Sequence, residues 1–179
     1  TIRRIPQADR MVRQGAWMPG EFLVPMVPSL SQMRCGIVGL GAIGAAIGRR
    51  LTGFGSTIQW WGPRDKPDAP WPRKATLLEL AQDSDALIIA APSTPETEGM
   101  IDSAVLEALG PRGFLVNISR GSLVDEAALL VALETGGIAG AGLDVFADEP
   151  HDGSRWKHCD TLVMTPHVAG WAERAMDEV

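Results

Sequence analysis

From residue 34 to residue 165 the sequence alternates short apolar segments with segments of helical periodicity. The segment ALIIAA (86–91) is apolar at every position, which is typical of a strand buried on both faces of a parallel sheet. Strands joined by helical crossovers predict an α/β fold with a doubly wound parallel sheet. The predicted strands are 34–39, 56–61, 86–91, 114–119, 141–145 and 161–165, and the predicted helices are 42–51, 76–82, 102–110 and 125–136.

A glycine motif, GLGAIG, lies between the first predicted strand and the first helix of this alternation. Gly39 permits a tight turn, Gly41 lets a pyrophosphate approach the backbone, and Gly44 lets the helix pack closely on the strand. The amides at the start of that helix would then face the anion. The motif in this context predicts a dinucleotide site of the Rossmann type, and the alternative is a glycine-rich turn without a ligand.

The first 32 residues do not follow the alternation. Residues 6–17 have the pattern of a helix, with Pro6 in its first turn and Gly15 at its end, and residues 18–32 form a proline-rich connector. The helix either crosses from another domain or packs locally on the sheet, and both interpretations stay open. We therefore expect a connecting helix and linker at 1–32 and a dinucleotide-binding domain at 33–179.

Composition restricts the partners and the location. The chain has 179 residues and a formal net charge of −6, which argues against nucleic acid or an anionic membrane as a partner. The longest clean apolar run, 86–91, is too short to span a bilayer. Cys35 and Cys159 form no CxxC pair and predict no disulfide framework. A cytoplasmic location is the expectation, and the N-terminal Thr1 indicates a piece of a longer protein.

The turn after the second predicted strand bears on the choice of cofactor. An acidic residue there would accept hydrogen bonds from the adenosine ribose and repel a 2′-phosphate, but this chain has Gly62. Arg64, with Lys66 nearby, offers donors to a phosphate instead. Asp65 or Asp68 turned inward would weaken this argument, and a solvated charged turn is the alternative. The pattern favours NADP over NAD.

Three groups late in the chain are candidates for chemistry: Arg120, Glu149 and His167. Each follows a strand in the later half of the sheet, where ligands of open α/β sheets bind. The chain has no tyrosine, which excludes a Tyr–Lys proton relay. The alternatives are that His167 caps a strand end, that Glu149 is a solvated loop acid, and that Arg120 pairs with Asp125.

Five segments, in order and spacing, resemble the D-isomer-specific 2-hydroxyacid dehydrogenases: GIVGLGAIG, SDALIIAAPSTPETEGMI, FLVNISRGSLVDEAAL, GLDVFADEP and TPHVAG. The resemblance implies the cofactor-binding domain of that family, with the substrate domain largely missing. The WWGPR segment resembles the NADP-preferring glyoxylate/hydroxypyruvate reductase branch. A formate dehydrogenase is less favoured, because that branch has glutamine where this chain has Glu149.

The resemblance also implies roles for the three late groups. His167 would donate the proton to the carbonyl oxygen of a 2-oxo acid during reduction. Glu149 would orient the imidazole and favour its charged form. Arg120 would hold the carboxylate and carbonyl oxygens of the substrate with its fork of donors.

Further positions are implied to contact the cofactor. Ala42 and Ile43 would present amides to the pyrophosphate, and Asp144 would accept from the carboxamide unless it is only a strand-end turn acid. Trp171 would wall the substrate pocket or pack in an interface. The full predicted cofactor set is Gly39, Gly41, Ala42, Ile43, Gly44, Gly62, Arg64, Pro92, Ser93, Thr97, Ile118, Ser119, Arg120, Asp144, His167 and Gly170.

Two functions are therefore expected as alternatives. The first is a reductase of small 2-oxo acids that uses NADP, with NAD possible, and forms a homodimer in the complete protein. The second is a dinucleotide-sensing protein like the corepressor members of the family. No metal is expected, because the spacing of His151, His158, Cys159 and Asp160 fits no zinc pattern.

Overall fold

The computed structural model describes residues 2–18 and 26–171. These residues form a six-stranded parallel sheet in the order β2-β1-β3-β4-β5-β6. The predicted doubly wound α/β fold is confirmed. The strands are β1 Arg34–Val38, β2 Thr57–Trp61, β3 Ala86–Ile89, β4 Phe114–Asn117, β5 Gly140–Leu143 and β6 Leu162–Met164; the helices are α1 Ile5–Arg13, α2 Ala42–Gly53, α3 Leu77–Gln82, α4 Ser103–Leu109 and α5 Glu126–Glu134.

The order of the strands places a switch point between β1 and β3. The chain passes from β1 outward to β2 and then returns to pair β3 with the other side of β1, so that Ile37 lies beside Ile88. Because all the strands are parallel, the segments that follow them lie at one edge of the sheet. In open α/β sheets this edge holds the ligand.

Both faces of the sheet are covered, which explains the continuous apolar pattern of the central strand. Leu87 and Ile89 belong to one buried cluster, together with side chains of α3, α4 and α5. Ala86 and Ile88 belong to the other, which includes Trp60 and packs against α2. Successive residues of β3 point to opposite faces. Burying both faces keeps the strand rigid beneath the ligand edge.

Side-chain caps fix the residues at which α3 and α4 begin. Thr76 accepts a hydrogen bond from the Glu79 amide at the start of α3, and Asp102 accepts one from the Val105 amide at the start of α4. Glu79 does not complete a capping box with Thr76, because its carboxylate accepts from the Ala75 amide instead of the Thr76 amide. Such caps satisfy the unpaired first-turn amides.

The N-terminal helix is shorter than predicted. It ends at Arg13 instead of residue 17, since Gly15 adopts a left-handed φ of 68° that stops the helix. The helix contacts the sheet domain through Gln7, whose side-chain amide donates to the Asp160 carbonyl at 2.6 Å. Part of the predicted connector, 19–25, and the end of the predicted dinucleotide-binding domain, 172–179, lie outside the described residues. The division into 1–32 and 33–179 stays a prediction. In the described ranges no helix has the length and apolar character needed to cross a membrane.

Candidate cofactor and catalytic site

The three motif glycines occupy different environments after β1. Gly39 has a φ of 89°, and a Cβ there would lie 2.8 Å from the backbone of Ala91. A Cβ on Gly44 would lie 2.2 Å from the Gly39 carbonyl oxygen, so only glycine lets α2 pack this closely on the turn. Gly41, by contrast, precedes α2 and would have no atom within 4 Å of an added Cβ. Its backbone is therefore open to a ligand.

A cavity of about 510 Å³ lies where the turn meets the ends of β3 and β4. No side chain among the described residues caps α2, so the amides of its first turn are available to an anion at this cavity. Many of the predicted cofactor residues meet here. The lining is Gly41, Ala42, Ile43, Ala90, Ala91, Pro92, Ser93, Ile118, Ser119 and Arg120.

A second cavity, of about 470 Å³, adjoins the same turn and includes Lys66 and Asp68 in its lining with Gly41 and Ala42. Arg64 is exposed and lies outside that lining. Lys66 is thus placed nearer the glycine turn than the predicted Arg64. Asp68, which the sequence left open as an opposing carboxylate, is exposed and also lines this cavity.

Gly62 is buried at the end of β2, and its carbonyl accepts two hydrogen bonds from the Arg73 guanidinium, at 2.8 and 3.2 Å. A Cβ on Gly62 would lie 3.5 Å from the Trp60 ring, an ordinary contact. Its φ also lies outside the left-handed region. Neither the available space nor the backbone conformation therefore requires glycine at position 62. What the glycine changes is the chemistry of the turn, because it leaves this position without a carboxylate.

His167 follows β6 in a left-handed conformation, with a φ of 55°, which is unusual for a residue with a side chain. Its amide donates to the carbonyl oxygens of Asp144 at 2.8 Å and Thr165 at 3.0 Å, and these bonds stabilise the turn. Its Nδ1 lies 2.7 Å from Glu149 Oε2. The predicted pairing of His167 with Glu149 is present, and Nδ1 is the ring nitrogen that contacts the carboxylate.

Glu149 is held at both of its carboxylate oxygens. Oε2 contacts His167, and Oε1 accepts from the Phe146 amide at 2.7 Å. The hydrogen bond with His167 and, next, the one from Phe146 hold the pKa of Glu149 below its ordinary value. Glu149 is therefore ionised at neutral pH and positioned to favour an imidazolium.

Asp144 organises the loop that carries His167. Its buried carboxylate accepts hydrogen bonds from the Thr165 hydroxyl and from the amides of Val168 and Ala169, the last two at 3.0 Å. Burial raises the pKa of Asp144, but these hydrogen bonds outweigh it and the pKa lies below the ordinary value. This geometry corresponds to the turn-acid alternative. A carboxylate has about four acceptor positions, so its predicted contact with a carboxamide stays a prediction.

Arg120 is exposed, and its backbone is fixed by Asn117 at the end of β4. The Asn117 amide donates to the Arg120 carbonyl at 2.9 Å, and its oxygen accepts from the Ser119 amide at 3.0 Å. The Arg120 guanidinium donates to the Ser119 carbonyl at 2.7 Å. In the described part of the chain it forms no ion pair with Asp125, whose carboxylate caps α5.

The remaining predicted positions have structural contacts or lie apart. Thr97 donates to the Pro92 carbonyl at 2.9 Å, and Ser93 forms a 2.9 Å hydrogen bond with Ser122 next to the Arg120 segment. Gly170 and Trp171 are exposed beyond His167. Within residues 2–18 and 26–171, no group of three His, Cys, Asp or Glu side chains has the geometry of a metal site.

Sequence reasoning missed two residues that hold the site together. Asn117 was assigned only to a strand, yet it is fully buried and organises the Arg120 turn. Its polar character in an otherwise apolar strand was the available signal. Glu126 was assigned only to a helix, and its carboxylate accepts from the Ala147 amide at 2.7 Å. Nothing local in the sequence indicates that contact.

Comparison with known proteins shows the family to which the chain belongs. The family model described as D-isomer specific 2-hydroxyacid dehydrogenase, NAD binding domain, matches residues 1–169. The chain is 42% identical to the hydroxyphenylpyruvate reductase of Plectranthus scutellarioides over 93% of this chain and 53% of the relative. It is 41% identical to glyoxylate/hydroxypyruvate reductase A of Arabidopsis thaliana, again over 93% of this chain and 53% of the relative.

A solved structure is similar to the same extent. The NADPH-dependent glyoxylate/hydroxypyruvate reductase of Sinorhizobium meliloti, in complex with NADP and malonate, superposes with a TM-score of 0.90 at 41% identity. The match covers 99% of this chain and 56% of that one. The chain thus spans about half the length of the relatives it matches.

Proposed function

The chain belongs to the D-isomer-specific 2-hydroxyacid dehydrogenase family, as its NAD-binding domain, and we propose that it serves the reduction of small 2-oxo acids by a nicotinamide cofactor. The observation that carries the proposal is the 2.7 Å contact between His167 Nδ1 and Glu149 Oε2 at the ligand edge of the sheet. A proton donor oriented by an ionised carboxylate is what reduction of a carbonyl group requires.

The residues divide the work of the reaction. When bound, the nicotinamide supplies the hydride to the carbonyl carbon. His167 donates its proton to the carbonyl oxygen, so that negative charge is neutralised as it develops. Glu149 stabilises the imidazolium before transfer, and Arg120 binds the carboxylate of the 2-oxo acid. The product is the 2-hydroxy acid, and His167 is left neutral.

We also propose that the chain prefers NADP, while NAD remains the alternative. Three features support this: position 62 has no carboxylate, Lys66 lines the cavity beside the glycine turn, and Arg64 lies in the same turn. A 2′-phosphate would receive charge-assisted hydrogen bonds from such groups. The nearby carboxylate of Asp68 opposes this preference. A relative named as NADPH-dependent agrees with the proposal.

The substrate class we propose is glyoxylate or hydroxypyruvate, since relatives of about 40% identity are named for these acids. A homodimer and a cytoplasmic location stay predictions from the sequence. We further expect the 179-residue chain alone to be inactive, because closure of a second domain is needed to exclude water around the substrate.

The test is an assay of the complete gene product. NADPH and NADH oxidation are measured with glyoxylate, hydroxypyruvate and a larger 2-oxo acid, in parallel with the 179-residue chain. We expect turnover of the small acids by the complete protein and none by the chain alone. Binding of the cofactor without turnover of any 2-oxo acid would contradict the proposed reductase. Full activity of the chain alone would contradict the need for a second domain.

A further inference from the structure

We infer that Glu126 is a positioning residue for the Glu149–His167 pair, an inference that rests on the proposed function. Glu126 is the first residue of α5, and its side chain is only 10% exposed. Oε1 accepts from the Ala147 amide at 2.7 Å, and Oε2 pairs with the Arg155 guanidinium at 3.1 Å. The contact with Ala147 thus joins two residues that lie 21 positions apart in the sequence, and it reaches the turn before Glu149.

The contact is specific to the turn that carries the carboxylate of the pair. Glu149 accepts from the Phe146 amide at 2.7 Å, and Glu126 accepts from the next amide, that of Ala147. Two carboxylates therefore bind successive amides of one turn. Without Glu126, the Ala147 amide would lose its side-chain acceptor, and Glu149 itself would be left as the carboxylate that binds this turn.

Glu126 is available for this contact because another residue caps its helix. The Asp125 carboxylate accepts from the amides of Ala127 and Ala128, so the start of α5 is satisfied without Glu126. A negative charge at a helix N-terminus is itself stabilised by the helix dipole. The helix dipole consequently stabilises the charge of Glu126, and the carboxylate is free to accept the hydrogen bond from the Ala147 amide of the neighbouring turn.

A close backbone contact links this turn to the Arg120 segment as well. A Cβ on Gly121 would lie 1.9 Å from the Phe146 carbonyl carbon and 2.1 Å from its oxygen, so the two segments touch without a side chain between them. Asn117 accepts from the Asp144 amide through its backbone carbonyl at 3.0 Å, just before the turn. Glu126 therefore adds a second attachment to this turn, beside the Asn117 hydrogen bond and the Gly121 contact, and we expect it to keep Glu149 in place relative to Arg120.

The test compares Glu126→Ala with Glu126→Gln in the complete gene product. Alanine removes the acceptor for the Ala147 amide, whereas the glutamine side-chain oxygen replaces it. We expect Glu126→Ala to lower kcat by about tenfold, less than the roughly 10²-fold loss that a 1 Å misplacement causes. The basic limb of its pH profile should move to lower pH, because a loosened Glu149 stabilises the imidazolium less. Glu126→Gln should restore both properties, and the KM for the cofactor should not change.

Glu134→Ala is the matched control, since it removes an exposed carboxylate from the other end of the same helix. The ¹⁵N chemical shifts of the His167 imidazole, recorded across pH in all variants, report the pair without turnover. A wild-type pH profile and wild-type shifts in Glu126→Ala would overturn the inference. Equal losses in the alanine and glutamine variants would also overturn it, by assigning the effect to charge or stability. If the wild-type protein reduces no 2-oxo acid, the proposed function fails while the shifts still test Glu126.

Discussion

The proposed catalytic edge and the proposed cofactor-selecting turn of this domain are built in opposite ways. After β4, β5 and β6, the backbones or side chains of Arg120, Glu149 and His167 are each held by short hydrogen bonds. After β2, Arg64 and Lys66 form none of the ion pairs in the part of the chain that the structure describes. The proposed catalytic groups are thus held by the protein itself, whereas the cations proposed to select the cofactor have no ion-pair partner among the described residues.

The difference has a physical basis. A proton transfer depends steeply on geometry, so a few tenths of an ångström at His167 affect the rate. A phosphate group presents several equivalent oxygens and is attracted over a longer range, so a flexible cation suffices to bind it. Rigidity is therefore concentrated where the direction of a bond matters.

The largest expected effect comes from removing the proposed proton donor, His167. Replacing His167 by alanine should lower kcat by roughly 10²–10⁴-fold, since the proton donor is lost, while cofactor affinity stays near wild type. Steady-state kinetics of the complete gene product measure the first quantity, and fluorescence titration with NADPH measures the second. His158→Ala, an exposed histidine away from the site, is the control. Near-normal turnover in His167→Ala would identify another group as the acid.

A smaller effect comes from the partner of that histidine. Glu149→Gln keeps the shape and removes the charge, so the protonated imidazole loses stabilisation. We expect the basic limb of the reduction profile to move to lower pH. The measurement is kcat/KM across pH with a saturating cofactor. An unmoved limb would show that Glu149 acts only through packing.

Substitutions in the turn after β2 should change only the preference between NADPH and NADH. Arg64→Ala is expected to weaken NADPH binding by roughly 1–3 kcal/mol, which is about 5- to 150-fold in Kd, and to leave NADH binding unchanged. Lys66→Ala should act in the same direction, because Lys66 lines the adjoining cavity. Arg50→Ala, on α2, is the control, since its guanidinium donates to the Ala46 carbonyl. Equal losses for both cofactors would remove the distinction between the two regions.

The smallest effect is on stability in acid. Because the pKa of Glu149 is lower in the folded protein than its ordinary value of 4.5, its contribution is fully present above pH 4.5 and is lost as the pH falls through the folded value. Glu149→Gln should therefore reduce the free energy of unfolding at pH 7 by less than about 1 kcal/mol and have no effect at the acid end. Urea unfolding at several pH values measures this. A constant difference between the two proteins at every pH would contradict the linkage.

The fold was predictable because its signals are local. The apolar pattern of β3 and the spacing of Gly39 and Gly44 each depend on neighbours a few residues away. The pairing of His167 with Glu149 was expected from the family resemblance. The structure adds to it the left-handed turn that presents the imidazole.

The supporting contacts were not predictable in the same way. Glu126 has the pattern of a helix-start acid, and only the packing of α5 against the turn after β5 brings it to Ala147. Lys66 and Arg64 are equivalent in sequence, and the path of the turn decides which one lines the cavity. The Glu126 contact joins distant segments through a backbone amide, and a backbone amide leaves no side-chain pattern in the sequence.

The open surroundings of Gly41 mean that folding and binding make separate demands on neighbouring glycines. A methyl group on Gly44 would collide with the Gly39 carbonyl, whereas one on Gly41 would meet no protein atom within 4 Å. The φ of −78° at Gly41 is also one that alanine adopts without strain. An alanine at position 41 is thus expected to give a domain of ordinary stability whose methyl group projects toward the proposed pyrophosphate site. We expect the Gly41→Ala domain to fold and to bind the cofactor more weakly, which would make it a reference protein for binding studies.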